Sequence, residues 1–192
     1  MPQSPPTPDS PDSPGSPPLY RFPRRIILLL ALAAALLAGD LFLKQWAFAN
    51  VRDIRTVIPN VLDLRLTLNR GAVFGIGQGY VFVFVIITFI AVALIGYALL
   101  ASRRRQSVFQ LALMLVLAGA LGNLHDRIML HEHAVRDMLL IFPNSHLPFG
   151  WHWPGGRTEL YPWIFNLADV YLNIGIGTLI VRSLFFAGRQ RD

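Results

Sequence analysis

At 192 residues, 54% hydrophobic and only 15% charged, the chain is too apolar for an ordinary soluble domain, where about a quarter of residues carry charge. The absence of cysteine excludes disulfides, thiolate metal ligands and a cysteine nucleophile. A net charge of +6 would suggest nucleic acid in a soluble protein, but here the arginines gather beside apolar runs, which suits membrane orientation; no nucleic-acid partner is expected.

Residues 1–20 are rich in Pro, Ser and Asp and cannot bury enough apolar surface to offset their ordering entropy, so a disordered cytoplasmic tail is expected. One membrane domain is expected over residues 21–188. Its first span, 26–49, follows Arg21, Arg24 and Arg25. A cleaved signal peptide is the competing reading, since Leu37-Ala38-Gly39 resembles the front of a lipoprotein cleavage box. Asp40 stands where the cysteine would have to be, and the apolar run continues to Phe48, so a retained helix is expected. Asp40 and Lys44 are four apart with the acid first, the favourable order for a helical ion pair.

Residues 51–79 are too polar to cross a bilayer. Leu62, Leu64, Leu66 and Leu68 alternate with Asp63, Arg65 and Thr67, the period of a half-buried strand. Asn69-Arg70-Gly71 offers a turn, and Gly75, Gly77 and Gly79 keep the following backbone permissive. Further spans are expected at 80–100, 108–126 and 166–186. The arginines beside span one, at Arg103–Arg105 and after span four fall on one side of four crossings, and the positive-inside rule makes that side the cytoplasm. Both termini are then cytoplasmic, and the outer segments are 51–79 and 127–165. The outer segments also carry arginines, but less densely.

Ionisable groups at membrane depth are costly and mark functional sites. Asn123, Asp126 and Arg127 share a face at the end of span three, and Asn166, Asp169 and Asn173 form a polar stripe on span four. Asp137 lies in the connection between them. Two carboxylates in one low-dielectric pocket cannot both ionise easily, so one holds a proton while the other stays charged. Such a pair can activate water and protonate a leaving amine. The alternative is that each aspartate caps a helix or pairs with Arg127 or Arg136. All five histidines fall in the outer region, but His131-Glu132-His133 lacks the His-Glu-x-x-His spacing of zinc proteases, so no metal site is expected. Trp151, Trp153 and Trp163 suit an interfacial aromatic belt.

Five blocks in order carry a resemblance: Asp40-Leu-Phe-Leu-Lys44-Gln-Trp46, Asn69-Arg-Gly-Ala-Val-Phe-Gly75, Gly119-Ala-Leu-Gly-Asn-Leu-His-Asp-Arg127, Val135-Arg-Asp137 and Phe165-Asn-Leu-Ala-Asp169. From about Arg25 to Phe186 the sequence resembles the signal peptidase II family, the membrane-embedded aspartic proteases that process bacterial lipoproteins. The resemblance implies a four-helix inner-membrane bundle with a small extracytoplasmic β-sheet, cutting diacylglyceryl-modified prolipoproteins before the lipidated cysteine. It further implies Asp137 and Asp169 as the catalytic pair, a site lined by Asn69, Gly71, Asn123, Arg127 and Asn166, and structural support from Asp40, Lys44 and Asp126. No cofactor is expected, and the partners are the bilayer and the prolipoprotein substrate, with the enzyme a monomer. Met138 stands where the family usually has Phe after the aspartate, and the 142–162 connection is long for the family. Arg127 is expected to hold the segment that carries Asp137. A small multi-span transporter and a non-catalytic membrane scaffold are the competing functions.

Overall fold

The computed structural model describes residues 24–71, 80–102 and 106–186. The expected tail at 1–20, Gly75, Gly77 and Gly79, the cluster Arg103–Arg105 and the arginines after Phe186 lie outside the described residues.

Among the described residues, four helices, each long and apolar enough to cross a membrane, form the body of the fold. They are α1 (Arg24–Asn50), α2 (Val81–Ala101), α3 (Ser107–Met129) and α4 (Leu167–Phe186). α3 lies at the centre and packs on the other three. The helices meet through Leu29 and Ala33 of α1, Ile95 and Leu99 of α2, and Leu113, Met114 and Ala118 of α3. α2 buries little else, and Phe82, Phe89 and Tyr97 point outward. Such an apolar outer surface is what a hydrocarbon solvent requires, because the helical backbone already satisfies its own hydrogen bonds.

The α3–α4 contact depends on small residues. A Cβ on Gly119 would run into the backbone oxygen of Ala168, and one on Gly122 into the carboxylate of Asp40. Glycine at both positions lets the helix backbones approach closely, the usual device where lipid supplies no hydrophobic drive.

At one end of the bundle sits a three-stranded antiparallel sheet in the order β1 (Arg55–Ile58), β2 (Leu62–Asn69), β3 (Val135–Ile141). The sequence placed a sheet in 51–79 alone. The third strand comes from the connection after α3, because Val-Arg-Asp-Met-Leu-Leu-Ile pairs with β2 once the helices bring the two segments together. Phe165 adds a bridge to the outer side of β3, its N–H donating to the Leu139 carbonyl at 3.0 Å. Leu64 and Met138 pack against Ala47 and Val51, which fastens the sheet to the end of α1. Met138 is fully buried, so the departure from Phe at that position is absorbed by an apolar contact.

The alternation of β2 does not survive intact. Leu64 pairs with Leu139, but Thr67 pairs with Asp137, so β2 advances three residues while β3 advances two. The extra residue at Arg65–Leu66 is a β-bulge, and it reverses the faces beyond it. Leu68 consequently emerges 42% exposed, although the leucine pattern assigns it to the buried face.

The 142–162 connection folds back on itself as a hairpin. The Leu147 N–H donates to the Thr158 carbonyl, the Leu160 N–H to the Ser145 carbonyl and the Trp153 N–H to the Arg157 carbonyl. The Trp153 indole donates to the Glu159 carbonyl and packs edge-on against Trp163, with ring centroids 4.7 Å apart. Of the tryptophans assigned to an interfacial belt, Trp151 is 65% exposed, while Trp153 and Trp163 are half-buried against each other.

Candidate active site

α4 begins with a reciprocal cap. The side-chain oxygen of Asn166 accepts from the Asp169 N–H at 3.0 Å, and the Asp169 carboxylate accepts from the Asn166 N–H at 3.1 Å. This is the capping-box arrangement, with Asn and Asp in place of the usual Ser or Thr and Glu. It satisfies two orphan N–H groups and leaves Asp169 Oδ1 facing α3. There Asn123 Nδ2 donates to it at 2.8 Å. Capping and site-lining are thus a single geometry at Asp169.

The orientation of the Asn123 amide is fixed from behind. Its Oδ1 accepts from Lys44 Nζ at 3.0 Å and from Asn166 Nδ2 at 3.1 Å. A lysine ammonium can only donate, so the carbonyl must face it and the NH2 must face Asp169. Lys44 is fully buried, as are its two carboxylate partners, Asp40 at 2.8 Å and Asp126 at 3.4 Å. Asp40 Oδ1 also accepts the Ala168 N–H in the first turn of α4, at 2.9 Å. Asp126 is held in turn by Arg136, through a side-chain contact of 2.8 Å and the Arg136 N–H at 3.0 Å. Arg136 reaches Gln45 as well, at 3.2 Å. Asp126 therefore pairs with Arg136 and Lys44 rather than with Arg127. A buried charge pair contributes little net stability against an apolar alternative, but breaking one is costly, so this network fixes geometry.

Asp137 stands on β3 and is 1% exposed. Its Oδ1 accepts from Asn166 Nδ2 at 2.6 Å and its Oδ2 from Asn69 Nδ2 at 3.1 Å. The bulge makes the second bond possible. Without the extra residue Asn69 would lie on the opposite face of the sheet from Asp137, since side chains alternate with period two. The Gly71 N–H donates to Asn69 Oδ1 at 2.9 Å, which turns the Asn69 amide toward Asp137.

Arg127 donates to the Gly71 carbonyl at 2.9 Å and to the Asn123 carbonyl at 3.3 Å, and its guanidinium lies 5.2 Å from the Phe84 ring centroid. The expectation that it holds the Asp137 segment is corrected: it holds the turn after β2, and its influence passes through Asn69. The reason is reach. α3 runs on to Met129, so Arg127 projects across to the turn instead of along the chain.

Asn69, Asn123, Arg127, Asp137 and Asp169 line one cavity of about 300 Å³, whose remaining wall is largely apolar and comes from α2, α3, α4 and the Tyr161–Phe165 segment. Asn166 is fully buried and bonded to both aspartates. Tyr161 and Trp163 line the cavity too and were not singled out as site residues in the sequence. Their position just ahead of Phe165-Asn166 is the signal that could have found them. Arg136 was weighed only as an ordinary ion-pair partner. Burial first, and the negative charge of Asp169 second, push the Asp137 carboxyl up to about 7, against the opposing bonds from Asn166 and Asn69. Within the site's own network, Asp40 and Asp126 are balanced by Lys44 and Arg136, and Arg127 with a single shared proton balances Asp137 and Asp169.

Residues 32–185 match the family model described as signal peptidase (SPase) II. The chain belongs to the signal peptidase II family. Lipoprotein signal peptidase of Latilactobacillus sakei subsp. sakei (strain 23K) is 39% identical over 162 residues, covering 83% of this chain and 95% of that protein. Lipoprotein signal peptidase of Clostridioides difficile (strain 630) is 32% identical over 167 residues, covering 85% of this chain and 100% of its own. Among solved structures, a bacterial membrane enzyme determined by the in meso method at 2.3 Å superposes with a TM-score of 0.70 and 28% identity, covering 87% of this chain and 93% of that one. A second, at 1.9 Å, gives a TM-score of 0.64 and 29% identity over 84% and 95%. Membership in the signal peptidase II family makes this chain a protease of the bacterial membrane and disfavours the transporter and scaffold readings. The four apolar helices and the small antiparallel sheet expected from the sequence agree with the family's fold.

Proposed function

We propose that the chain is an aspartic endopeptidase that removes signal peptides from diacylglyceryl-modified prolipoproteins, cutting before the lipidated cysteine, with Asp137 and Asp169 as the catalytic pair. One observation carries the assignment. Asn166 donates to both carboxylates, through its side chain to Asp137 and through its backbone to Asp169, which sets two acids from different elements against one cavity. Asn69, Asn123 and Arg127 line the site around the pair, and Gly71 serves it through its bonds to Asn69 and Arg127.

The chemistry needs one proton on the pair. The protonated member donates to the scissile carbonyl while the charged member takes a proton from an attacking water. The new C–O bond gives a tetrahedral intermediate, stabilised by fixed amide donors in a water-poor pocket. It collapses with cleavage of the C–N bond as a carboxyl gives its proton to the leaving amine. The lipid-facing, apolar wall of the cavity suits a substrate whose signal helix and acyl chains stay in the bilayer. Orientation follows from the arginine distribution, with both termini cytoplasmic and the sheet end of the bundle outside. The enzyme acts as a monomer.

The test is cleavage of a lipidated precursor peptide by the wild type, Asp137→Asn and Asp169→Asn in lipid bilayers. Each variant should remain folded and lose at least a thousandfold in kcat. Near-wild-type turnover in either would sink the aspartic mechanism.

A further inference from the structure

The apolar cavity is not the only space that reaches Asp137. A second, open groove of about 540 Å³ lies between the β2–β3 face and the hairpin of the 142–162 connection. It shares Asn69, Asp137, Tyr161, Trp163 and Ile164 with the apolar cavity. The two spaces meet at the aspartate and differ in character. Helix side chains such as Ile87, Val116 and Leu172 line the first, whereas Arg65, Thr67, Arg157 and Glu159 line the second.

The substrate proposed above has the same asymmetry about its scissile bond. On one side is an apolar signal helix, on the other a polar, extended chain that leaves the membrane. Resting on that reading, we propose that the groove is the subsite for the mature side of the precursor, taking the residues that follow the lipidated cysteine and favouring acidic ones.

The local structure supports a built groove rather than an incidental gap. The bulge at Arg65–Leu66 breaks the regular alternation of β2, and bulges re-aim side chains beside active sites. Arg65, at the bulge, and Thr67, just beyond it, both border the groove. The opposite wall is held by the hairpin's own hydrogen bonds, including His146–Glu159 bridging and the Leu160 N–H to Ser145 carbonyl contact of 2.7 Å. Arg157 is set at the groove's edge by donating to the Pro162 carbonyl at 3.2 Å. Apart from Asp137, which belongs to the pair that shares a proton at the groove's inner end, the charged side chains are two arginines against one glutamate, so the outer part of the groove favours anionic side chains. Its volume is within the range of about 300–1,000 Å³ typical of ligand clefts.

The experiment uses full-length enzyme in bilayers and two lipidated precursor peptides. They are identical through the modified cysteine and continue with Asp-Glu-Asp or Lys-Lys-Lys. The wild type should favour the acidic peptide about tenfold in kcat/KM, mostly through KM, with the ratio shrinking at high salt as exposed charges are screened. Arg65→Glu combined with Arg157→Glu, both at exposed positions, should invert the preference. A wild type indifferent to the two peptides, or a variant whose ratio stays at the wild-type value, overturns the groove assignment. Failure of the wild type to cut either lipidated peptide would instead overturn the peptidase reading itself.

Discussion

Asp137 is where burial and chemistry meet most directly. Its carboxyl is pushed up to about 7 by burial and by the charge of Asp169, whereas an aspartate in an unfolded chain titrates near about 3.9. Between those values the folded protein binds the extra proton, so the contribution of Asp137 to stability is fullest at low pH and is lost as pH rises toward about 7. The cost at higher pH is on the order of 4 kcal/mol. The thermal midpoint of the wild type should therefore drop between pH 5 and 8, and Asp137→Asn should flatten that slope. Hydrolysis should show an alkaline limb near pH 7, where the proton the mechanism needs is lost. A wild-type midpoint that rises over this range would contradict the assignment of the proton to Asp137. Around the pair, Asn123 is turned by Lys44, Asn69 by Gly71, and Asn166 by its own cap on α4. Three amides with fixed orientation surround two acids.

Among the elements, α3 carries the heaviest burden, since it packs on every other helix and bears Asn123, Asp126 and Arg127. Its contact with α4 passes over Gly119 and Gly122. Gly122→Val would drive a side chain into Asp40 Oδ2 and the Cβ of Ala168, and so disturb the bond from the Ala168 N–H to Asp40. Overpacking of this kind costs about 1–3 kcal/mol. Activity should fall further than stability, because a displaced α4 carries Asp169 with it and small displacements are expensive in rate. Gly96→Ala on α2, where a Cβ meets nothing within 4 Å, is the control and should leave both unchanged. Thermal unfolding and turnover of the two variants, measured together, decide the matter; equal behaviour would remove the close-approach argument.

For the whole molecule, the bundle and its terminal sheet define two ends, and the orientation proposed from the arginine bias puts the sheet end outside. The absence of native cysteine makes this directly measurable with single cysteines. Thr158→Cys lies in the hairpin at the sheet end, and Ala101→Cys at the far end of α2; both sites are exposed. A membrane-impermeant maleimide on intact cells should label the first and reach the second only after permeabilisation. The reverse pattern would invert the orientation and place the site in the cytoplasm.

By itself the sequence determined the four spans and the polar residues that interrupt them. Uninterrupted apolar runs of helical length have one stable solution in lipid, and Asn or Asp within them stands out against that background. The pairing of Asp40 with Lys44 was legible for the same local reason, one turn of one helix. The joining of Lys44 to Asn123, the third strand at Val135–Ile141, the passage of Arg127 to Gly71 and the groove beside the hairpin all depended on segments far apart in the chain. The bulge at Arg65–Leu66 is the clearest instance. The leucine pattern of β2 implies strict alternation, and only pairing with β3 revealed the extra residue that turns Asn69 toward Asp137. Periodicity records which face a residue takes within its own element; which partner meets that face is decided by packing between elements.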